Sequence, residues 1–471
     1  MKIINILMRC FFIGLVWSLL SCEGQQNFLK VIPDNANLVS IINVSEVVDK
    51  FDVTKTKLTP LLDLSHEEYG DNMKSLSVLM ETPENTGLDF NAPLCVFRTS
   101  AIYLVAKIND VNALKSFFAT MKQDVVASSV REYGGLYNTL LFDACEIYFD
   151  DATLLLYISS DEYGDVPSSK NIKRLFQLDE EEMFIYSDKY KEMTSKAGNA
   201  DVATYHSHYL SEGKIELLSS LNLEEDRFVL NTCVFNADKR INKMLDEIDK
   251  HTCLLKGRFT DIYEDLPFQC VCVGVDGEWM IEFLKSNHEL RSLLLVIERG
   301  IDIEKMVGSV NGDLAFVISD FTKLNSGKIP DITVIAEVKN TDFLNDVDYW
   351  ASSMDNYGMK MHKIAENQYI LTFEDMLLNW GVTPENELFF STSPSFSAAN
   401  IHKQTNVHAP CKVQGNKLFM YTNLEETVKA SSMYAEINMF CSLLGIGEPQ
   451  YLLVKSNSAR EFIVELGMHE K

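Results

Sequence analysis

The sequence predicts an α+β fold of two tandem related domains, each a mostly antiparallel or mixed sheet with helices packed on one face. Three observations predict it. Apolar strand-like runs alternate with short helices that are apolar on one side only, a pattern typical of a sheet covered by helices. Several strands follow one another across very short turns, which favours antiparallel pairing. A similar series of elements occurs in each half of the chain.

The repetition is clearest in two stretches that share a pattern of residue types. Residues 183–193 read MFIYSDKYKEM, and residues 418–428 read LFMYTNLEETV. Each stretch has four apolar or aromatic residues, then Ser or Thr, then Asp or Asn, and then the charged start of a predicted helix. We therefore interpret the mature chain as one fold that occurs twice.

The first copy alternates strands and helices. Ser45 can cap the helix that follows the first strand. A later helix, from Val111 to Met121, carries its apolar residues at helical spacing. The second and third strands are connected across Arg98-Thr99-Ser100, and we expect them to form a hairpin. The predicted strands are Leu38 to Val44, Leu94 to Phe97, Tyr103 to Ile108, Leu154 to Ile158 and Arg227 to Thr232.

The second copy preserves this order. Its helix has an apolar stripe that runs from Phe343 through Trp350 to Met354. The predicted strands are Cys270 to Val275, Leu314 to Ile318, Thr333 to Val338, Leu388 to Phe390 and Glu461 to Leu466.

These features predict five regions along the chain. They are a signal peptide at 1–21, a tether at 22–27, the first copy at 28–250, a linker at 251–267 and the second copy at 268–471.

The first 22 residues predict the cellular compartment of the protein. Lys2 and Arg9 precede an apolar run that is too short to span a bilayer, which needs about 20 apolar residues. The run ends in Leu-Leu-Ser-Cys, which resembles the lipobox of bacterial lipoprotein precursors. That resemblance implies cleavage between Ser21 and Cys22 and acylation of Cys22, whereas the alternative is an ordinary secretory signal. Two or more acyl chains would anchor the protein stably to a lipid bilayer.

The start of the mature chain carries a second resemblance. Residues 28–48 read FLKVIPDNANLVSIINVSEVV, in which Ile32, Pro33, Ala36, Ile42 and Asn43 stand out. This opening resembles a family of uncharacterised Bacteroides-type lipoproteins, which begin with Ile-Pro, a nearby Ala and a strand that ends in Ile-Asn. The resemblance implies a cell-envelope address, with the outer membrane as the expected membrane and a periplasmic or surface-exposed orientation. The family has no assigned activity, so the resemblance implies no catalytic residue.

The charge of the chain excludes one class of partner. Lys and Arg number 42 against 68 Asp and Glu, which gives a formal net charge of −26. A surface of this sign repels nucleic acid and anionic headgroups, so we expect no nucleic-acid partner.

The sequence predicts no cofactor and no metal site. Phosphate-binding, nucleophile-elbow and zincin signatures are absent from it. The pairs His206 and His208, and Cys270 and Cys272, each lack a clear third ligand, and we interpret the two histidines as part of a surface loop. We expect mostly free, buried thiols, with disulfides as the alternative, for the cysteines of the mature chain other than Cys22: Cys95, Cys145, Cys233, Cys253, Cys270, Cys272, Cys411 and Cys441.

Two functions fit the sequence. The favoured hypothesis is a non-catalytic, membrane-anchored lipoprotein that binds a protein, peptide or glycan ligand. The alternative is an envelope hydrolase with a carboxylate-based site in a cleft between the copies, because acid–base chemistry needs only two placed side chains. Asp89 and Asp302, which follow Gly at matched positions in the two copies, are the candidate carboxylates, although turn or cap roles would also explain them.

Overall fold

The structure of the protein is a computed structural model. It describes residues 26–51, 82–123, 127–141, 145–158, 169–224, 226–259, 268–286, 302–320, 331–355, 358–373, 376–393, 396, 413–425, 441 and 447–469. Ser21, Cys22 and the predicted signal peptide lie outside these residues, as does Cys411. In the described part of the chain, no helix combines the length and the apolar character that a bilayer crossing requires.

The chain divides into two compact units. Unit 1 comprises Met1–Asp238, Ser432–Glu448 and Met468–Lys471, and unit 2 comprises Lys239–Ser431 and Pro449–Gly467.

Unit 1 contains ten described strands, four α-helices and four 3-10 helices. The strands are β1 (Leu38–Ile42), β2 (Leu94–Arg98), β3 (Ile102–Lys107), β4 (Arg131–Tyr133), β5 (Leu136–Leu141), β6 (Cys145–Phe149), β7 (Thr153–Ile158), β8 (Val202–Leu210), β9 (Gly213–Leu223) and β10 (Arg227–Ala237). The helices are η1 (Gln26–Val31), α1 (Val44–Phe51), η2 (Pro83–Thr86), α2 (Val111–Gln123), α3 (Ser169–Leu175), η3 (Glu180–Glu182), η4 (Phe184–Tyr186) and α4 (Asp188–Ala197).

Unit 2 contains the other ten described strands. They are β11 (Gln269–Asp276), β12 (Val310–Asp320), β13 (Asp331–Val338), β14 (Lys360–Ala365), β15 (Gln368–Phe373), β16 (Met376–Val382), β17 (Glu387–Ser391), β18 (Leu418–Asn423), β19 (Pro449–Ser458) and β20 (Glu461–Met468). Its described helices are α5 (Lys239–His251), α6 (Gly277–Ser286), α7 (Ile303–Gly308), η5 (Asp342–Asp346) and α8 (Val347–Asp355).

The strands pair in the same order in the two units. In unit 1 the order is β4-β5-β6-β7-β3-β2-β1-β8-β9-β10. In unit 2 it is β14-β15-β16-β17-β13-β12-β11-β18-β19-β20. The neighbours whose register is defined run antiparallel, including the hairpin that the sequence predicts between β2 and β3.

The prediction of an α+β fold with helices packed on one face of each sheet is wrong. Twenty antiparallel strands dominate the described residues, against eight mostly short α-helices. The sequence conceals many of these strands because they are half-exposed and mix polar with apolar residues. The hairpin of β8 and β9 is an example, since its residues include His, Ser, Glu and Asn.

Apolar side chains lie on both faces of the unit 1 sheet. In β3, Leu104 belongs to one buried cluster, which includes Leu114 of α2. The next residue, Val105, belongs to a second cluster, which includes Phe28 of η1 and Tyr190 of α4. Successive residues of a strand point to opposite faces, so helices pack on both sides of this sheet.

Unit 2 also has two buried clusters. Trp350 of α8 and Phe343 of η5 lie in one. The other contains Leu255 and Phe259, which belong to the segment 252–259 that we call the strap. Near the start of the strap, the Cys253 backbone amide donates to the Gly274 carbonyl oxygen at 2.9 Å. This hydrogen bond connects the strap to β11.

The two stretches with the same residue pattern do not form the same element. In the first stretch, η4 is followed by Ser187, whose side chain caps α4. In the second, residues 418–423 form strand β18, which pairs with β11 as β8 pairs with β1. An apolar four-residue run fits a strand as well as a helical turn, and the surrounding sheet decides between them.

Candidate functional site

Unit 1 contains a cleft of about 750 Å³. It lies between the turn that precedes β1, the β2–β3 turn, α3 and η3. Its lining residues are Pro33, Asp34, Asn35, Asn37, Thr99, Ser100, Tyr103, Asn171, Arg174, Leu175, Leu178, Glu181 and Glu182. The volume lies within the range of small-ligand sites, about 300–1,000 Å³.

The turn before β1 is fixed by backbone hydrogen bonds. The Asp34 amide donates to the Glu182 carbonyl oxygen at 2.7 Å, and the Ala36 amide donates to the Pro33 carbonyl oxygen at 3.0 Å. Pro33 also forms a β-bridge with Met183. One wall of the cleft is therefore held against the segment that opposes it.

Asn37 joins this turn to the β2–β3 turn. Its Oδ1 accepts from Arg98 Nε at 2.9 Å, and its Nδ2 donates to the Thr99 carbonyl oxygen at 3.5 Å. The backbone amide of Asn37 donates to the Arg98 carbonyl oxygen at 2.9 Å. These hydrogen bonds hold the turn before β1 against the β2–β3 turn, so the role of Asn37 in the cleft is structural.

Two carboxylates of the cleft are paired with cations. Arg174 of α3 donates to both carboxylate oxygens of Glu182 at 2.6 Å. Lys189 of α4 donates to both carboxylate oxygens of Asp34 at 3.1 Å. Both pairs are partly exposed to solvent, and each places a cation beside a carboxylate of the cleft.

Tyr103 contributes a buried aromatic ring to the cleft. The ring stacks on Phe97 with centroids 4.7 Å apart and lies 5.7 Å from the ring of Tyr157. Burial raises the pKa of Tyr103, against a hydrogen bond with Thr99 that lowers it. The phenol is therefore protonated at neutral pH.

The rim of the cleft offers polar groups to a ligand. Asn35, Ser100, Asn171 and Glu181 are exposed. Amide and hydroxyl groups both donate and accept hydrogen bonds. Apart from the two ion pairs, Glu181 supplies the remaining charge of the lining. Such a surface suits a polar ligand that is neutral or cationic.

Asp89 and Asp302, the candidate carboxylates, have local structural roles. Asp89 pairs with Lys107 at 2.7 Å and accepts from the Asn91 amide at 3.1 Å. Asp302 is the N-cap of α7 and accepts from the Lys305 amide at 3.0 Å. These contacts are the turn and cap roles that the sequence leaves open as explanations.

His206 and His208 lie on strand β8, so their interpretation as part of a surface loop is wrong. Their rings share one face of the strand with centroids 5.9 Å apart. Burial, together with the nearby charge of Arg98, lowers the pKa of His206. Across the described residues, no group of three or more His, Cys, Asp or Glu side chains is arranged to hold a metal ion.

The cysteines in the described part of the chain are free thiols. Cys95, Cys145, Cys272 and Cys441 are buried, whereas Cys253 is exposed. The expectation of free thiols is correct for these residues, but fewer of them are buried than expected.

A second polar cluster lies beneath the strap of unit 2. Asp313 accepts from the backbone amides of Lys256, Gly257 and Arg258 at 2.8–3.1 Å. Glu337 accepts from Lys256 Nζ at 2.9 Å and from Arg258 at 2.5 Å. These bonds satisfy the carboxylates and fasten the strap, so the cluster is structural.

The cleft of unit 1 is not among the sites that the sequence predicts. The sequence led to the hypothesis of a carboxylate-based site between the copies instead. The Pro-Asp-Asn-Ala-Asn run at 33–37 is a turn signal that could have indicated one wall. The other walls come from residues far along the chain, whose proximity only the fold creates.

Together, the fold and the cleft define a two-unit antiparallel β protein with a polar cleft in its first unit. The chain belongs to the DUF4836 family, a domain of unknown function, and the family model matches residues 28–412. As the resemblance at its start implies, the family is uncharacterised.

No curated protein matches the chain. Two solved structures of TP0453, crystal forms IV and I, are similar over 48% and 50% of this chain and 86% and 89% of theirs. The sequence identities are 12% and 10%, and the TM-score is 0.27 in both cases. A likeness at this level supports no inference about fold or function.

Proposed function

We propose that the protein is a lipid-anchored, non-catalytic binding protein of the cell envelope, and that the unit 1 cleft binds a polar peptide or glycan. The anchor is the acylated Cys22, produced by cleavage after Ser21, and the outer membrane of a Bacteroides-type cell is its expected location. The lipobox and the opening residues 28–48 support this address.

The proposed binding function rests on the cleft of unit 1. Its rim presents amides and hydroxyls, including Asn35 and Asn171, while Asp34 and Glu182 are held in ion pairs. A general acid or base needs a carboxyl group that can exchange protons with a substrate. In the cleft, Asp34 and Glu182 are each paired with a cation and lie beside neutral amides and hydroxyls, which favours recognition over catalysis.

The binding function is tested with the mature chain and panels of oligosaccharides and peptides. We expect at least one class to bind with 1:1 stoichiometry in calorimetry. Asn171→Trp, on the exposed side of α3, should fill the mouth of the cleft and reduce the affinity at least tenfold. Glu192→Trp on α4 is the matched control, because Glu192 is exposed and lies outside the cleft.

Two results would contradict this function. One is equal affinity in Asn171→Trp and Glu192→Trp, which would place the site elsewhere. The other is turnover of a bound glycoside or peptide that Asp89→Asn or Asp302→Asn abolishes, which would favour the hydrolase.

The address has its own test. Metabolic labelling with a fatty acid should label the wild-type protein and leave Cys22→Ala unlabelled. Label that persists in Cys22→Ala would refute the anchor without affecting the cleft.

A further inference from the structure

Three basic side chains share one face of the unit 1 sheet. Leu38 of β1 lies directly opposite Arg98 of β2 on one side and directly opposite His206 of β8 on the other. Directly opposed residues of neighbouring strands point to the same face of a sheet. His208 lies two residues further along β8 and therefore points to that face as well. We call Arg98, His206 and His208 the basic cluster.

The basic cluster lies on the face of the sheet away from the cleft. Phe97 and Tyr205 immediately precede Arg98 and His206, and both belong to the buried cluster that packs on the other face. Tyr103, which lines the cleft, belongs to that same buried cluster. A ligand of the basic cluster would therefore not occupy the cleft.

Arg98 is held in place through one of its three side-chain nitrogens. Its Nε donates to Asn37 Oδ1 at 2.9 Å. Within the part of the chain that the structure describes, the two terminal nitrogens Nη1 and Nη2 have no hydrogen bond or ion pair. These nitrogens carry four of the five N–H groups of a guanidinium, which remains charged at neutral pH. The bond to Asn37 thus orients a group of charged donors that is available to an oxyanion.

The members of the basic cluster oppose one another's positive charge. Burial lowers the pKa of His206, and the charges of Arg98 and His208 lower it further. The rings of His206 and His208 lie with centroids 5.9 Å apart. A bound anion would offset this repulsion and raise the pKa of His206, because an opposite charge nearby favours the protonated imidazole.

The floor beneath the basic cluster is apolar. Leu38 lies between Arg98 and His206, and Leu217 and Ile215 of β9 lie directly opposite His206 and His208. All three apolar residues are half-buried. Hydrogen bonds between charged groups are stronger beside an apolar surface than in open water.

We propose that Arg98, His206 and His208 bind the phosphate group of a small soluble molecule. Arg98 donates to two phosphate oxygens, and the imidazole N–H groups donate to the others. A carboxylate has only two oxygens, which the parallel N–H groups of one arginine would already occupy. A phosphate group offers an oxygen to each of the three side chains. The net charge of −26 disfavours a bilayer of anionic lipids as the source of that phosphate.

The test is NMR of the purified mature chain, labelled at the histidine Cε1 atoms, during addition of inorganic phosphate. At pH 7 we expect the His206 and His208 signals to shift and to saturate at one phosphate per chain. The signal of His362, an exposed histidine of β14, should stay unchanged. The pKa of His206 should rise in the complex. Sodium acetate or sodium chloride at equal ionic strength should give no saturable shift.

Variants of the basic cluster test the role of each side chain. Arg98→Gln should weaken phosphate binding about tenfold or more, because it removes both the charge and the paired donors. Arg98→Lys should restore only part of the affinity, because lysine lacks the paired donors. His206→Gln leaves Arg98 and its bond to Asn37 intact, and it should also weaken binding. Arg131→Gln, which removes an exposed arginine of β4, is the matched control and should bind like the wild type.

Other outcomes would overturn the proposal. One is equal affinity in Arg98→Gln and Arg131→Gln, and another is a phosphate shift that does not saturate. A third is sedimentation of residues 23–471 with phosphatidic acid vesicles that Arg98→Gln abolishes, which would assign the basic cluster to a lipid headgroup. Asn171→Trp, which fills the cleft, should leave phosphate binding unchanged, so this test and that of the cleft are independent.

Discussion

Glu337 is a buried carboxylate whose charge is stabilised by the strap. Burial by itself would raise the pKa of Glu337, but hydrogen bonds from Lys256, Arg258 and the Asp313 amide outweigh burial and lower it. A carboxyl group whose pKa is lowered by folding stabilises the protein above its unfolded pKa, about 4.3 for Glu. That stabilisation is lost as the pH falls through this value towards the folded pKa.

The first prediction concerns this pH dependence. The free energy of unfolding of the wild type should decrease as the pH is lowered from 7 to about 3. Glu337→Gln should be less stable than the wild type at pH 7, and its stability should depend less on pH. Urea unfolding at several pH values measures both effects. Equal slopes for the two proteins would show that Glu337 does not contribute.

The second prediction concerns Arg258. Arg258→Met removes one cation from Glu337 and from Glu387, which is fully buried and lies 3.5 Å from Arg258. Loss of a partner from a buried pair typically costs about 3–5 kcal/mol. Since Arg258 itself is 37% exposed, we expect about 2 kcal/mol by urea unfolding. Arg227→Met, which removes an exposed ion pair with Glu224, should cost about 0.5 kcal/mol or less.

The third prediction separates the two explanations of Asp302. Asp302→Ala should destabilise the protein by about 1 kcal/mol, because the N-cap of α7 is lost. Asp302→Asn should be nearly neutral, because Asn is as good an N-cap as Asp. Thermal unfolding measures the difference. Equal destabilisation by both substitutions would show that the cap is not the role of Asp302.

At the scale of elements, the sequence predicted some strands much better than others. Strands that are apolar on both faces, such as β3 and β7, were located within a residue or two. Half-exposed strands such as β9 and β14 were missed, because polar residues interrupt the alternation that identifies a strand. The number of strands was therefore underestimated, and the share of the fold that helices form was overestimated. The α2 stripe was correct, because helical spacing with large apolar residues is unambiguous.

The candidate site was less predictable than the fold. Its turn at 33–37 has a local signal, but Tyr103, Arg174 and Glu182 meet there only because β3, α3 and η3 are brought together by pairing and packing. The sequence does not show which side chains meet, so it cannot show that Asp34 forms an ion pair with Lys189. Residue types alone could not distinguish a paired carboxylate from a catalytic one.

The fourth prediction tests whether both faces of the unit 1 sheet are packed. Leu155 and Leu156 are neighbours on β7, point to opposite faces and belong to different buried clusters. Replacing either one with Ala should cost about 3 kcal/mol, because each leaves a cavity in a packed core. Ile364→Ala, at an exposed position of β14, should change the stability by about 0.5 kcal/mol or less. A mild effect at Leu155 or at Leu156 would indicate a sheet packed on one face.

At the scale of the whole molecule, the charge decides which surfaces the protein avoids. A net charge of −26 should prevent association with anionic vesicles unless acyl chains provide it. The fifth prediction concerns this effect of the charge. Residues 23–471, produced without the signal peptide and without Cys22, should remain in the supernatant when they are centrifuged with phosphatidylserine vesicles, whereas the acylated protein should sediment. Sedimentation of residues 23–471 would show a membrane-binding surface beyond the anchor.

The matching strand orders make individual positions of the two units comparable. Lys107 of β3 pairs with Thr153 of β7, and Glu337 of β13 pairs with Glu387 of β17 at the corresponding place. A lysine in one sheet thus stands where the other carries a glutamate. In a chimaera that placed the strap in front of the first sheet, Lys256 and Arg258 would face another cation. The strap is therefore matched in charge to the sheet of unit 2.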